Sequence, residues 1–371
     1  MIYARRSTIP KIGRHIMKRY KFQLATSKQA SEMVEFHNKY YEAMRSSDDW
    51  LWEYKTYNPE RAVTSFAKDG EKIIATQGMI PIYMRIGTET ILTGKSESTL
   101  LLPEYRGTSI MQELYEYAVD HCINNGMQFI WGLTPAVKAF EKFGFKSYPD
   151  IQCMIRPGNI SDAIRLRLEQ RSPSWHRIGS IMKLILKHLL LYKRTPTNHY
   201  HEESNHKLRR GITERGCLKL LFDRLALRHK NEIFLNFDQE YLKWRVREHP
   251  FISYDEYQVY NQGDLKAFAI VTLNKRVLSI SNLTSEDEKA TTFLLYRIYE
   301  DYYKYSAEFR FLVNAKDILS IHILNQLNNF GFSARGKTNL IVRDLSKNNN
   351  EEIYHISNWH INGLWTEGYS M

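Results

Sequence analysis

The chain contains two Phe-Gly-Phe tripeptides, at residues 143–145 and 330–332. In both copies an arginine follows eleven residues after the second phenylalanine: Arg156 in one and Arg343 in the other. Sequence motifs that recur in the same order along a chain indicate that one supersecondary arrangement is repeated. At 371 residues the chain also has the length of two domains. We therefore expect two similar halves in tandem.

A second repeated motif, a Trp-containing tetrapeptide followed by a proline, lies upstream of each tripeptide. Trp-Glu-Tyr-Lys at residues 52–55 precedes Pro59, and Trp-Arg-Val-Arg at residues 244–247 precedes Pro250. Trp50, Trp52, Tyr54 and Tyr57 form an aromatic cluster that either stacks on a sugar or packs into the core. The repeated tetrapeptides support the prediction of a repeated arrangement.

Hydrophobic periodicity predicts the element order β-α-β-β-β-α-β-α-β over residues 21–157, a mixed α/β fold with a central sheet. Thr26 is predicted to cap the first helix, with Gln29 as its capping-box partner. The acidic pair Asp48 and Asp49 is assigned to a loop after this helix. The predicted buried face of the helix comprises Met33, Phe36, Tyr40 and Met44.

Residues 158–215 differ from both halves and are predicted to join them. Of the net charge of +11, the stretch 156–215 carries +8, from 13 Lys and Arg against 5 Asp and Glu. Within it, residues 178–192 predict a basic amphipathic helix that either packs between the halves or lies on a membrane surface. The predicted boundaries are an N-terminal domain at 1–157, a basic helical linker at 158–215 and a C-terminal domain at 216–371.

Cysteine usage and hydropathy favour a reducing, cytoplasmic compartment. Three cysteines stand far apart, and the basic N-terminus lacks the apolar core of a secretory signal. No run of eighteen apolar residues predicts a membrane span. Three histidines around the linker are read as solvated rather than metal-binding, and no metal site is predicted: His199, His201 and His206.

The stretch LLPEYRGTSIM, residues 101–111, joins a predicted strand to a predicted helix without any acidic side chain after Tyr105. The first amides of a helix lack intrahelical acceptors, and the helix dipole favours an anion there. Gly107 allows close backbone approach, and Arg106 adds a fork of donors. Thr108 and Ser109 can cap the helix or donate hydroxyls. The junction predicts a pyrophosphate site.

With this junction, the element order and the run Ala139 to Phe145, residues 21–157 resemble the GNAT family of acyl-CoA-dependent N-acyltransferases. The block from Trp50 to Pro59 resembles the subgroup associated with bacterial surface-polysaccharide and amino-sugar biosynthesis, and YLKWRVREHP resembles the second repeat of such two-domain proteins. The resemblance implies acetyl-CoA or another acyl-CoA as cosubstrate and a small amine acceptor such as a sugar nucleotide. The implied coenzyme-binding residues are Leu101, Leu102, Arg106, Gly107, Thr108, Ser109, Ile110 and Met111.

The resemblance also implies direct attack of the amine on the thioester, with the diverging strands 90–102 and 127–133 admitting the pantetheine arm. Glu97 is the candidate base, and Tyr148 or water is the candidate proton donor to the thiolate. Two departures stand out. Ser109 and Met111 occupy the family's glycine positions, and Phe140 replaces the tyrosine that many relatives use as acid.

The equivalent junction of the second half, residues 282–288, places Glu286, Asp287 and Glu288 at the helix start. Carboxylates there repel a pyrophosphate, so the C-terminal half is predicted to bind no coenzyme. Two alternatives stay open. The basic segment suits an aminoacyl-tRNA-dependent transferase, the one setting in which a nucleic acid is expected. The departures at Met111 and Phe140 suit a non-catalytic scaffold.

Overall fold

The computed structural model describes residues 20–41, 44–169, 179, 181–186, 205–346 and 350–365. The N-terminal half contains, in order, β1 Tyr20–Leu24, α1 Ala30–Tyr41, α2 Ser47–Lys55, β2 Val63–Asp69, β3 Lys72–Ile86, β4 Glu89–Leu101, α3 Ile110–Asn124, β5 Phe129–Thr134, α4 Val137–Lys142 and β6 Lys146–Pro157. The C-terminal half contains α5 Ile160–Glu169, β7 His206–Arg210, α6 Arg215–Arg228, β8 Ile233–Leu235, α7 Gln239–Leu242, β9 Asp255–Asn261, β10 Asp264–Asn274, β11 Val277–Ser285, α8 Glu288–Tyr302, β12 Glu308–Asn314, α9 Ser320–Asn329 and β13 Ser333–Asp344.

All of these strands belong to one mixed sheet. Twelve of them follow the order β1-β2-β3-β4-β5-β13-β6-β12-β11-β10-β9-β7, and β8 pairs with β3. Most neighbours are antiparallel, but β4 with β5 and β11 with β12 are parallel. The parallel pairs recur at equivalent places in the two halves, each followed in the chain by a helix–turn–strand unit. The predicted α/β class with two similar halves is confirmed.

The last strand of each half lies in the sheet of the other half. β13 pairs with β5 and β6, and β6 pairs with β13 and β12. The repeated arginines follow this exchange. Arg343 donates to the Glu116 carboxylate and to the Phe143 carbonyl in the N-terminal half, whereas Arg156 is buried 4.0 Å from the Tyr299 ring in the C-terminal half. The two halves are therefore joined through a shared sheet as well as through the linker.

The first helical region confirms one prediction and corrects two. Thr26 and Gln29 form the predicted capping box. Met44, predicted to be buried, is 98% exposed because α1 ends at Tyr41. The assignment of Asp48 and Asp49 to a loop is also wrong. Asp49 accepts from the Ser46 amide while Ser46 accepts from the Asp49 amide, so the acidic pair starts α2.

The aromatic cluster serves packing. Trp50, Tyr54 and Tyr57 are buried. Trp52 meets its repeat partner Trp244, and each indole N–H donates to the other residue's carbonyl, at 3.2 and 2.9 Å. The matched tryptophans thus join the two halves at a second place.

Much of the predicted linker lies outside the described residues, including His199, His201 and most of the helix predicted at 178–192. Residues 181–186 are helical, and Leu184 is buried against Ala163 and Ala307. His206 begins β7. None of the described helices combines the length and hydrophobicity that crossing a bilayer requires. The three domain boundaries stay predictions.

Candidate functional site

A cavity opens where β4 and β5 separate. The two strands pair only through Gly94 with Ile130 and Lys95 with Trp131, and then diverge. Against β3, β4 carries a bulge, seen as a register shift near Gly78 and a positive φ of 52° at Ser98. A cavity of about 910 Å³ lies between the diverging strands, the start of α3 and α4. This volume falls in the range of small-molecule sites.

The loop before α3 presents unused hydrogen-bond donors. Gly107 adopts a φ of +82°, and Thr108 Oγ1 donates to the Tyr105 carbonyl at 2.7 Å. Within the described part of the chain, no acceptor pairs with the main-chain N–H of Gly107, Thr108, Ser109, Met111 or Gln112. Such a group of amides at the start of a fifteen-residue helix favours an anion.

The structure places the predicted coenzyme-binding residues in two groups. Five of them line the cavity: Leu101, Arg106, Gly107, Thr108 and Met111. Ser109 is exposed at the start of α3, outside the lining, and its hydroxyl makes no capping bond. Leu102 and Ile110 are buried in the core, so their side chains cannot contact a ligand there. The Leu102 amide is also used, since it donates to the Ile74 carbonyl at 3.0 Å.

Met111 lies at the glycine position that suggested a blocked groove. Its side chain is buried and forms part of the cavity wall. The space in front of it stays open, because the cavity includes both Arg106 and Gly107 on one side and Pro135 and Ala136 on the other. Met111 narrows the site without filling it.

Three cations surround the cavity. Lys138 and Lys142 lie one turn apart on α4, so both side chains reach the same side, where they are exposed and line the cavity with Arg106. None of the three forms an ion pair with a described residue. Sequence reasoning missed both lysines, although their i,i+4 spacing was a usable signal. The cations and the free amides together suit a ligand with several phosphate charges.

Glu97 is the only carboxylate in the cavity lining of the described chain. It is 9% exposed and forms an ion pair with the buried Lys95 two residues earlier. Its neighbour Ser96 accepts hydrogen bonds from the Tyr115 hydroxyl at 2.9 Å and from Gln77 Nε2 at 3.1 Å. These buried partners hold the bulged segment in place, so Glu97 occupies a fixed position beside the cavity.

The hydroxyl of the Tyr115 phenol is neutral, because burial raises its pKa. A second hydroxyl, on Tyr54, donates to Ser98 Oγ at 2.7 Å. Both tyrosines lie behind the bulge rather than in the cavity lining. They position β4 and do not face a ligand.

Phe140 lines the cavity. The resemblance to the GNAT family implies that many relatives have at this position a tyrosine that acts as the general acid. Phe140 packs against Tyr115, Phe143 and Phe145 at ring distances between 5.5 and 5.9 Å. Phe140 therefore supplies an apolar wall and no proton.

Tyr148, the predicted proton donor, does not reach the cavity. It lies on β6 opposite Leu340 of β13, and burial together with Tyr354 raises its pKa. The strand exchange explains the correction. β13 inserts between β5 and β6, so β6 lies one strand farther from the opening than the sequence order suggests. The hydroxyls that do line the cavity belong to Ser96, Ser98, Thr99, Thr108 and Thr134.

The equivalent junction in the C-terminal half is closed by its own side chains. Asp287 caps α8 by accepting from the Ala290 amide at 2.7 Å. Glu286 pairs with Arg224 and Lys266, and Glu288 accepts a hydrogen bond from the Gln326 amide group. Only Glu288 belongs to the first turn, since Glu286 and Asp287 precede the helix. The helix start whose amides are unpaired in the N-terminal half is therefore occupied by carboxylates in the C-terminal half.

Comparison with known proteins agrees with this geometry. Residues 21–147 match the family model of the acetyltransferase (GNAT) domain. This part of the chain is similar to GNAT domains, and we call it the GNAT domain below. No curated protein matches the chain in sequence.

Solved structures match the GNAT domain and the second half together. A GCN5-related N-acetyltransferase from Anabaena variabilis shares 11% identity at a TM-score of 0.60, covering 88% of this chain and 73% of that one. A tandem GNAT protein from the clavulanic acid biosynthesis pathway shares 10% at 0.54, covering 89% and 100%. Saccharomyces cerevisiae N-myristoyltransferase with bound myristoyl-CoA shares 13% at 0.54, covering 88% and 78%. At these identities the likeness concerns the fold, and it confirms the tandem GNAT-like architecture.

Proposed function

We propose that the protein is an acyl-CoA-dependent N-acyltransferase that uses acetyl-CoA or another acyl-CoA and a small amine such as an amino sugar. The observation that carries the proposal is a group of unpaired amides at the start of α3, beside an open cavity that Arg106 lines. In the described chain these amides belong to Gly107, Thr108, Ser109, Met111 and Gln112. The absence of any carboxylate other than Glu97 from the described lining supports the same ligand, because coenzyme A is strongly anionic.

Each part of the cavity has a task in this reaction. The amides of the α3 start and Arg106 bind the pyrophosphate, and Lys138 and Lys142 supply charge for the 3′-phosphate. When bound, acyl-CoA supplies a thioester whose carbonyl carbon is attacked by the amine to give an amide and a free thiol. Leu101, Phe140 and the other apolar wall residues exclude water from the arm of the ligand.

Glu97 accepts the proton that the amine loses, either directly or through a water molecule. Lys95 forms an ion pair with this carboxylate and so helps to hold it beside the cavity. Since Phe140 and Tyr148 cannot protonate the thiolate from their positions, solvent supplies that proton. A thiolate is a stable leaving group near neutral pH, so its departure needs little assistance.

The acceptor class rests on the resemblance of residues 50–59 and on the fold. The block itself is used for packing, so it offers no stacking platform for a sugar. The tandem GNAT protein of clavulanic acid biosynthesis shares the fold, which supports an acceptor among small molecules.

The binding test is calorimetry with acetyl-CoA and coenzyme A at concentrations up to the millimolar range. We expect binding that weakens at least tenfold in Arg106→Glu, because an attraction is replaced by a repulsion. Arg335→Glu is the matched control, since Arg335 is exposed on β13 and lies outside the cavity lining. Failure of the wild-type protein to bind, or equal effects of the two variants, would refute the assignment.

Phe140 favours one competing function, a GNAT-like scaffold that binds coenzyme A without catalysis. Release of free thiol from acetyl-CoA over a panel of amino sugars and polyamines separates the two, because a scaffold binds the ligand and releases no thiol. The tRNA-dependent alternative stays a prediction, since the basic segment behind it lies largely outside the described residues.

A further inference from the structure

Three potential metal ligands meet in the C-terminal half, away from the cavity. They are Glu232 just before β8, Asp317 between β12 and α9, and His360 in the segment after β13. Their ligand atoms all lie within 4.8 Å of one another, and the residues are 3%, 0% and 3% exposed. No spacing in the sequence brings these residues together, so only the fold shows the cluster.

One oxygen of the cluster lacks a partner. Within the described residues, Glu232 Oε1 accepts no hydrogen bond although it is buried. Asp317 has more hydrogen-bond partners. It accepts hydrogen bonds from the Leu319 amide, from Ser320 Oγ and from His360 Nδ1, the last at 2.8 Å. A buried carboxylate oxygen without a donor is costly, and a cation removes that cost.

Charge leads to the same requirement. Two carboxyl groups in contact in the interior cannot both ionise unless a positive charge lies between them. Glu232 and Asp317 form such a pair, because both residues are buried and their carboxylate oxygens lie within 4.8 Å of each other. A divalent ion balances both carboxylates when the imidazole is neutral.

The surroundings of His360 suit a metal ligand. Its Nε2 lies 3.2 Å from Thr284 Oγ1, which can accept the N–H and leave Nδ1 free to coordinate. Ligand atoms about 2.0–2.2 Å from a zinc ion lie roughly 3–3.6 Å apart, so small side-chain movements close the site. Two carboxylates and one imidazole favour Zn²⁺ or Mn²⁺ over Mg²⁺.

We propose that Glu232, Asp317 and His360 bind one Zn²⁺-class divalent ion. The ion has a structural role, because the site is closed to solvent and its ligands come from three separate segments. It fixes the C-terminal segment around His360 to β8, which in turn pairs with β3 of the GNAT domain. The proposal is independent of the acyltransferase assignment.

The test is the metal content of the full-length, untagged protein, measured by mass spectrometry after gel filtration without chelator. We expect about one Zn²⁺ or Mn²⁺ per chain. A strong chelator should lower the melting temperature by several degrees, and Zn²⁺ or Mn²⁺ should restore it while Mg²⁺ does not. Glu232→Gln keeps the size of the side chain and should lose both the metal and the response.

Glu286→Gln is the control, since it alters another buried carboxylate that already has Arg224 and Lys266 as partners. It should keep the metal even if it is less stable. His360→Gln is a second cluster variant in case Glu232→Gln does not fold. The proposal is overturned if the wild-type protein carries no metal and responds to none of these ions. It is also overturned if the cluster variants keep as much metal as Glu286→Gln.

Discussion

Replacing Gly107 by alanine separates backbone strain from ligand binding. Gly107 has a φ of +82°, and a Cβ built there meets no atom within 4 Å. Gly126, at the other end of α3, has a φ of +81° and equally open space. Alanine at either position therefore has the same cost, about 1–2 kcal/mol for a left-handed backbone conformation and nothing for steric overlap. Only Gly107 belongs to the cavity.

The two variants should have the same stability and different affinities. Both should lower the melting temperature by about 2–6 °C. In Gly107→Ala, relaxation of the backbone away from its positive φ should reorient the neighbouring unpaired amides. Losing one hydrogen bond from a main-chain amide to a charged phosphate removes about 1.5–3 kcal/mol, so the Kd for coenzyme A should rise about 10–150-fold. In Gly126→Ala the Kd should stay within twofold of the wild-type value.

Calorimetric titration of coenzyme A and thermal unfolding of the same three samples check this prediction. The reasoning is refuted if Gly107→Ala binds as tightly as the wild-type protein despite its lower melting temperature. It is refuted as well if both variants lose affinity alike, because the loss would then come from general destabilisation rather than from the loop.

Three further predictions concern single groups. Glu97→Gln should lower kcat about 100–1000-fold with little change in the KM for acetyl-CoA, as steady-state kinetics can check, and an unchanged kcat would exclude Glu97 as the base. Replacing Lys138 and Lys142 together by Gln should weaken coenzyme A several-fold and leave dephospho-coenzyme A unchanged, as paired titrations can check. Burial lowers the pKa of His249 to about 3. Below about pH 6.5 the unfolded chain therefore binds a proton that the folded chain does not bind, so the free energy of unfolding decreases as the pH is lowered. His249→Asn removes this titration. The difference in unfolding free energy between the wild-type protein and the variant should therefore be about 1 kcal/mol smaller at pH 5 than at pH 7, as urea unfolding can check. This is about half of the full effect of one proton, because solvent screens part of the penalty.

Local features of the fold could be predicted from sequence because they depend on neighbouring residues. The capping box at Thr26 and the helix start after Gly107 each rest on a few adjacent side chains and on backbone preferences. Their signals are complete within about ten residues. The cavity-lining role of Arg106 and Gly107 could be anticipated for the same reason.

The features that sequence reasoning missed depend on long-range contacts. Tyr148, the candidate proton donor, lies outside the cavity lining because the sheet inserts β13 between β5 and β6. The cluster of Glu232, Asp317 and His360 likewise draws its members from three separate segments. The prediction that Met44 is buried was wrong for a different reason, because a periodic position in the sequence does not show where α1 ends.

The exchange of β6 and β13 has a consequence for biosynthesis. The synthesis of β5 is complete once Thr134 is added, but its neighbour β13 begins only at Ser333, about 200 residues later in the chain. Until then the nascent GNAT domain exposes an unpaired strand edge, which is the kind of surface that promotes aggregation between chains. A fragment cut after β6 would keep that edge permanently open, so heterologous production calls for the whole polypeptide.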